Sequence, residues 1–275
     1  MSGILYIVGT PIGNLDDITL RQLRTLEEAD FICAEDTRVT LKLLNHFEIK
    51  NRLISFHEHS SHAEAQRIVE RLISGENGAV VTDAGMPCIS DPGQVLVELC
   101  AEQGIDVRVV PGPTAVASAA ALSGMKISRF TFEGFLPVQK KERRERLELL
   151  RNETAVMIFY EAPHKLRSTL DDLAEVFGGE RRIALCRELT KLHEETLRTD
   201  LAGAVSHFAE NEPRGEFVLV VEGRKEPAGE VSLEAALEQV RALIEMGEKP
   251  TDACKAVAKE TGLKKGELYS ALQDR

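Results

Sequence analysis

The chain has 275 residues, 43% apolar and 29% charged, with a formal net charge of −11. That balance describes an ordinary globular protein and excludes a disordered chain or a general nucleic-acid coat. No apolar run approaches the roughly eighteen residues of a membrane span, and the start, Met1-Ser2-Gly3-Ile4, lacks the basic segment of a signal peptide.

The five cysteines (33, 88, 100, 186, 254) are scattered and odd in number, which predicts reduced thiols in a cytoplasmic protein. Ile4–Gly9 reads as a strand. The turn after it, Gly9-Thr10-Pro11-Ile12-Gly13-Asn14, has a Gly-x-x-x-Gly spacing that fits neither a Walker A loop nor a Rossmann fingerprint. Thr19–Ala29 reads as a helix capped by Thr19. Phe31–Ala34 is a short strand, and Glu35-Asp36-Thr37-Arg38 leads into the helix Thr37–Phe47. These acidic residues suit a helix N-terminus, or a site wall on which Arg38 meets phosphate.

Arg52–Phe56 is the next strand and His62–Ser74 the next helix. His57, His59 and His62 suggest metal ligation, but a strand exit and a helix start offer no preformed geometry, so no metal is expected. Ala79–Thr82 reads as a buried parallel strand. It runs into Thr82-Asp83-Ala84-Gly85-Met86-Pro87-Cys88-Ile89-Ser90-Asp91-Pro92-Gly93, a loop rich in Gly, Pro and Asp, as expected where a ligand lies against backbone. Pro92 could open the following helix, Val95–Gln103. Strand Val107–Val110, the third glycine loop Val110–Ala115 and helix Thr114–Leu122 complete the first half. Strands alternating with helices predict an α/β fold with a largely parallel sheet and a ligand at its carboxyl edge.

After Gly134 the pattern changes. Val138–Arg151 reads as a charged helix, in which six Lys/Arg outnumber three Glu from Lys140 onward. It is either a solvated face or a phosphate-contacting one. Ala155–Tyr160, Arg182–Cys186, His193–Thr199 and Phe217–Glu222 read as strands, and Pro163–Phe177 and Leu201–Glu210 as helices. A linker at 223–229 precedes three helical patterns, Ser232–Met246, Thr251–Glu260 and Lys265–Leu272, the last two joined like a helix-turn-helix. The expected organisation is an α/β domain over 1–134, a second over 135–224 and a small helical domain over 232–275.

Ile4–Asn14, Ala34–Arg38, Phe56–His59, Thr82–Gly93, Val110–Ala115, Phe159–His164, Cys186–Lys191 and Arg214–Val220 together resemble the bacterial 16S rRNA cytidine 2′-O-methyltransferases of the tetrapyrrole methylase superfamily. The likeness runs over roughly residues 4–272, with Met86 where a threonine is common in that family. It implies S-adenosylmethionine as cofactor, in a cleft between two α/β domains, a homodimer, and 16S rRNA of the small ribosomal subunit as partner. It implies that Pro11, Asp83, Gly85, Met86, Ile89, Thr114 and Ala115 line one cofactor wall, with Tyr160, Glu188, Gly215 and Phe217 on the other.

Methyl transfer from a sulfonium needs alignment, exclusion of water and a base for the hydroxyl proton. Glu161 is the first candidate for that base and His57 the second. Arg38, Lys140, Lys141, Arg143, Arg144, Arg187 and Lys191 are the expected RNA contacts. Methylation of a small tetrapyrrole precursor and a non-catalytic ribosome-assembly role stay open; the basic helix and helical tail favour RNA.

Overall fold

Five parallel strands form the first sheet: β1 (Ile4–Val8), β2 (Phe31–Ala34), β3 (Leu53–Ser55), β4 (Gly78–Val81) and β5 (Asp106–Val110), in the order β3-β2-β4-β1-β5. The computed structural model describes residues 2–89, 92–225 and 233–273. β2 and β4 are buried along their whole length because helices cover both faces, which is why they read as unbroken apolar runs. Helices α1 (Leu20–Glu28) and α2 (Thr37–His46) close one face over Val8, Ile32, Ala79 and Val81. Helices α3 (His62–Ile73) and α4 (Gln94–Glu102) close the other over Leu5, Phe31, Cys33 and Val80.

Sequence sets the helix starts. Thr19 and Gln22 form a capping box on α1, and Ser61 and Glu64 form one on α3. α4 opens on Gly93, whose φ of +123° suits glycine, rather than on Pro92 as expected. Other element ends fall within two residues of expectation.

Helix α5 (Ala115–Leu122) leaves the first sheet and packs on the second, where its small side chains meet Val156, Ile158, Ala184, Val218 and Val220. That second sheet comprises β6 (Phe130–Phe135), β7 (Val156–Glu161), β8 (Arg182–Arg187), β9 (Glu195–Asp200) and β10 (Phe217–Val221), in the order β6-β7-β10-β8-β9. β6 pairs parallel with β7 and the other pairs are antiparallel. The sequence reading missed β6, because its Gly134 breaks the alternation at a register shift. The second sheet therefore begins at Phe130, ahead of the expected start at Phe135. Helices α6 (Lys140–Leu150), α7 (Pro163–Phe177) and α8 (Leu201–Glu210) cover its other face.

Both sheets belong to one compact unit, which runs to Arg151 and resumes over Ala155–Glu222. The second unit holds Asn152–Thr154 and the chain from Gly223. Its helices α9 (Leu233–Glu245), α10 (Pro250–Thr261) and α11 (Lys265–Gln273) enclose Ala236, Val240, Ala253, Cys254, Val257 and Leu268. Ser90 and Asp91 of the second glycine loop, linker residues 226–229 and Ser232 lie outside the described residues. Among the described residues, no helix is long and apolar enough to cross a membrane.

Candidate active site

The loops that leave β1, β4 and β5 are tied to one another at the carboxyl edge of the first sheet. Thr10 and Gly85 exchange both backbone hydrogen bonds, at 2.8 and 3.1 Å. The Thr10 hydroxyl donates to the Thr82 carbonyl at 3.1 Å. Gly9 N–H donates to the Val110 carbonyl at 3.0 Å, and buried Gln22 donates from Nε2 to the Gly9 carbonyl at 2.6 Å. β1 feeds a crossover toward β2 while β4 feeds one toward β5, so the Thr10–Gly85 bridge stands at the topological switch point of the sheet. Gly85 has φ +88°, and a Cβ there would meet Ile12 Cγ2 at 3.5 Å and the Pro113 carbonyl oxygen at 3.8 Å, both ordinary contacts. Glycine is required there for its backbone angle and not for want of space.

The residues expected on one wall lie around this bridge. Pro11 is buried in the β1 loop, and the Met86 sulfur lies where a side chain on Gly9 would be. Ile89 is half exposed, Thr114 caps α5 by accepting from Ala117 N–H at 3.1 Å, and Ala115 packs against the second sheet. Asp83 stands on the rim beside Glu35 and Asp36. Its Oδ1 accepts Asp36 N–H at 3.1 Å, while Glu35 accepts the Thr82 hydroxyl at 2.5 Å. Burial chiefly, then the Glu35 and Asp36 charges, pushes the Asp83 carboxyl above its ordinary value, against the opposing Asp36 N–H bond. The Arg38 side chain and N–H hold Asp36 down to about 2. Arg38 is exposed but already paired with Asp36 at 2.6 Å.

On the second sheet, Tyr160 lies on the α5 side, edge-on to Phe132 and Phe135 at 4.9 and 5.5 Å. Glu188 accepts Glu216 N–H and Lys191 Nζ, both at 3.0 Å. Burial pulls the Glu188 carboxyl up, but those two donors outweigh it and hold it below its ordinary value. A Cβ on Gly215 would come within 2.6 Å of Glu188 Cδ, so a glycine with φ +81° is what lets this loop close. The stem of Lys191 lies against Gly13 of the first loop, which joins the two sheets' loops. Thr190 next to it has φ +66° and a buried hydroxyl without a partner among the described residues. It lines a cavity of about 370 Å³ with Asp17, Thr19, Pro111, Gly112, Pro113 and Ser118. Backbone polar groups around Gly85 and Gly112, apolar Ile12 and Ile89, and an orphaned hydroxyl fit the S-adenosylmethionine that the sequence resemblance implies.

Three expected residues point elsewhere. Phe217 pairs in register with Glu161 on β7 and Arg187 on β8, so all three side chains lie on the α6–α8 face, opposite Tyr160. Glu161 is only 4% exposed; it accepts the Thr169 hydroxyl of α7 at 2.5 Å and Ala162 N–H at 2.9 Å. It is a structural carboxylate, not a base facing the cradle. Phe217 is buried against Phe208, so its side chain does not face the cradle. Arg187 pairs with Glu195 at 2.9 Å beside α8.

The basic helix is also corrected. Arg143 is buried and bonds Asp172 Oδ2 at 2.6 Å, and Arg144 holds Asp172 Oδ1 at 3.0 Å and Glu175. These two side chains anchor α6 to α7 and are not presented to RNA. Lys140 and Lys141 are exposed, Lys141 lying 4.0 Å from Glu145. Lys191 bridges Glu188 and Glu216. His57 is exposed at the exit of β3, edge-on to His59 at 6.1 Å. Among the described residues, no group of His, Cys, Asp and Glu could hold a metal. Thr10, Gln22 and Thr190 were missed; only Gln22 carried a signal, the Thr19-x-x-Gln22 spacing of a capping box.

A switch-point cradle on one sheet, faced by the loops of a second, defines a two-sheet α/β methyltransferase. A family model described as Tetrapyrrole (Corrin/Porphyrin) Methylases matches residues 4–205. The chain is 47% identical over 272 residues to the ribosomal RNA small subunit methyltransferase I of Halalkalibacterium halodurans, covering 98% of this chain and 94% of that one. The Thermotoga maritima protein of the same name is 50% identical over 223 residues, 81% of this chain and all of that one. Among solved structures, the methyltransferase CobJ superposes with a TM-score of 0.60 at 21% identity, over 82% of this chain and 97% of that one. The chain belongs to the ribosomal RNA small subunit methyltransferase I family of the tetrapyrrole methylases.

Proposed function

We propose that the protein methylates the ribose 2′-hydroxyl of cytidine 1402 in 16S rRNA of the small ribosomal subunit, with S-adenosylmethionine as donor. The observation that carries this reading is the near-full-length identity to relatives of that name, supported by a cradle whose glycine geometry fits the cofactor. Bound there, the cofactor supplies a methyl group on an activated sulfonium. The chain's own residues then hold the cofactor against backbone at Gly85 and Gly112, exclude water with Met86, Ile12 and Ile89, and accept the hydroxyl proton.

Asp83 is our first candidate for that acceptor, because it stands on the rim with a carboxyl shifted toward neutrality. His57, exposed on the same sheet edge, is second. Tyr160, Glu188 and Gly215 would form the facing wall, and Arg38 and Lys191 the ribose-phosphate contacts nearest it. We place the enzyme in the cytoplasm as a homodimer; its five free cysteines suit a reducing compartment.

The test uses small subunits from a strain lacking this enzyme, incubated with protein and methyl-labelled cofactor. Nuclease digestion and mass spectrometry should find the label on one cytidine ribose. Label on a base, or none, would overturn the reading.

A further inference from the structure

Five of the six basic residues from Lys140 to Arg151 are paired within the protein, with Asp172, Glu175, Glu133, Glu145 and Glu148, and Lys140 alone has no ion-pair partner among the described residues. A chain of net charge −11 must therefore meet a polyanionic substrate through another surface. The second unit carries one. From Lys249 to Lys265, five lysines outnumber Asp252 and Glu260, leaving a local net charge of +3. Lys255 and Lys259 stand four residues apart on one face of α10, and Lys264 and Lys265 stand at the join and start of α11.

All four side chains are exposed, and among the described residues none has an ion-pair partner. Cys254 and Val257 of α10 share one buried core with Leu268 of α11, so the two lysine-bearing helices pack together. This arrangement is unfavourable in the isolated protein. Like charges at that spacing repel, and lysines at the first turn of α11 oppose its dipole. A phosphate backbone reverses the sign of both effects.

We infer that Lys255, Lys259, Lys264 and Lys265 form a docking surface for the phosphate backbone of structured RNA in the small ribosomal subunit. The inference rests on the rRNA reading above and adds to it the surface that captures the substrate. Phosphate contacts of this kind give affinity and register, and leave the choice of nucleotide to the active site.

The experiment compares the full-length protein with a variant carrying Lys→Ala at all four positions, on unmethylated small subunits across a potassium chloride series. The slope of log affinity against log salt should fall in magnitude by about 2–4. KM for subunits should rise about tenfold or more, with cofactor affinity and kcat at saturating subunits unchanged. The four-fold Lys→Arg variant should retain binding, which shows that charge rather than fold was lost. If slope and KM stay at parental values while the parent methylates, the docking surface is wrong and the rRNA reading stands. Lost affinity with an unchanged slope would assign the surface to a protein partner and overturn the proposal. A parent that neither binds nor methylates subunits would overturn both readings.

Discussion

Gly9 and Gly112 lie back to back: a Cβ on Gly9 would fall 2.8 Å from Gly112 Cα, and one on Gly112 would fall 3.0 Å from Gly9 Cα. The Met86 sulfur crowds the Gly9 position and Gln22 Nε2 the Gly112 position as well, but the backbone atoms cannot swing aside as those side chains can, so neither loop yields without moving its strand. Gly112→Ala should cost about 1–3 kcal/mol by overpacking. It should also weaken S-adenosylmethionine binding roughly tenfold, through displaced loops. Gly266→Ala is the control, because a Cβ there meets nothing within 4 Å and the backbone is helical. Denaturant unfolding and calorimetry would show equal effects for the two if the loops were not coupled.

Glu161→Gln separates structure from chemistry. The carboxylate lies under α7, so transfer per folded molecule should stay within about twofold of the parent, where loss of a general base would cost about 100-fold or more. Thr169→Val should destabilise by about 1–3 kcal/mol, because Glu161 is then left buried with one donor fewer. Single-turnover transfer and urea unfolding measure the two effects. A hundredfold slower Glu161→Gln enzyme with parental stability would return Glu161 to the chemistry.

Arg143→Met leaves Asp172 buried with only Arg144, and should cost about 3–5 kcal/mol. The double replacement Arg143→Met with Asp172→Leu should recover much of that loss, since no charge is then stranded in the core. The salt dependence of subunit binding should match the parent in the folded double variant. A flattened slope there would show that Arg143 contacts phosphate after all.

Asp83 sets the expected pH dependence. Its carboxyl is held above the ordinary value, and the proton acceptor is the ionised form. The rate should therefore be full above that raised value and fall as pH drops through it. Asp83→Asn, at saturating cofactor and subunits, should slow single-turnover transfer by about 100-fold and abolish that acid limb. An unchanged acid limb would assign it to another group, His57 first.

The first sheet and its ligand edge were legible because helices and strands alternate and three loops carry glycines at strand exits. Facing was not legible on β7 and β10. Met157-Ile158-Phe159 and Phe217-Val218-Leu219 are apolar at every position, so the period of two that would assign Glu161 and Phe217 to a face is invisible. A shift of one residue moves a carboxylate from the cleft to the opposite core. The α6 run misled for a different reason: its acidic partners Asp172 and Glu175 lie on another helix, beyond the reach of local charge patterning. β6 was hidden by the register shift at Gly134.

Strand order also governs how the chain is made. In each sheet the strand that joins the earlier ones is synthesised after them: β4 is inserted between β2 and β1, and β10 between β7 and β8. On a ribosome, β1 has no neighbour until β4 has emerged, and the β6–β7 pair cannot meet the β8–β9 hairpin until β10 follows. At about 5–20 residues per second, the second sheet stays divided for roughly 3–11 s after β7 is complete. Over that interval the nascent chain carries two open sheet edges, so its yield in the cell depends on what shields them.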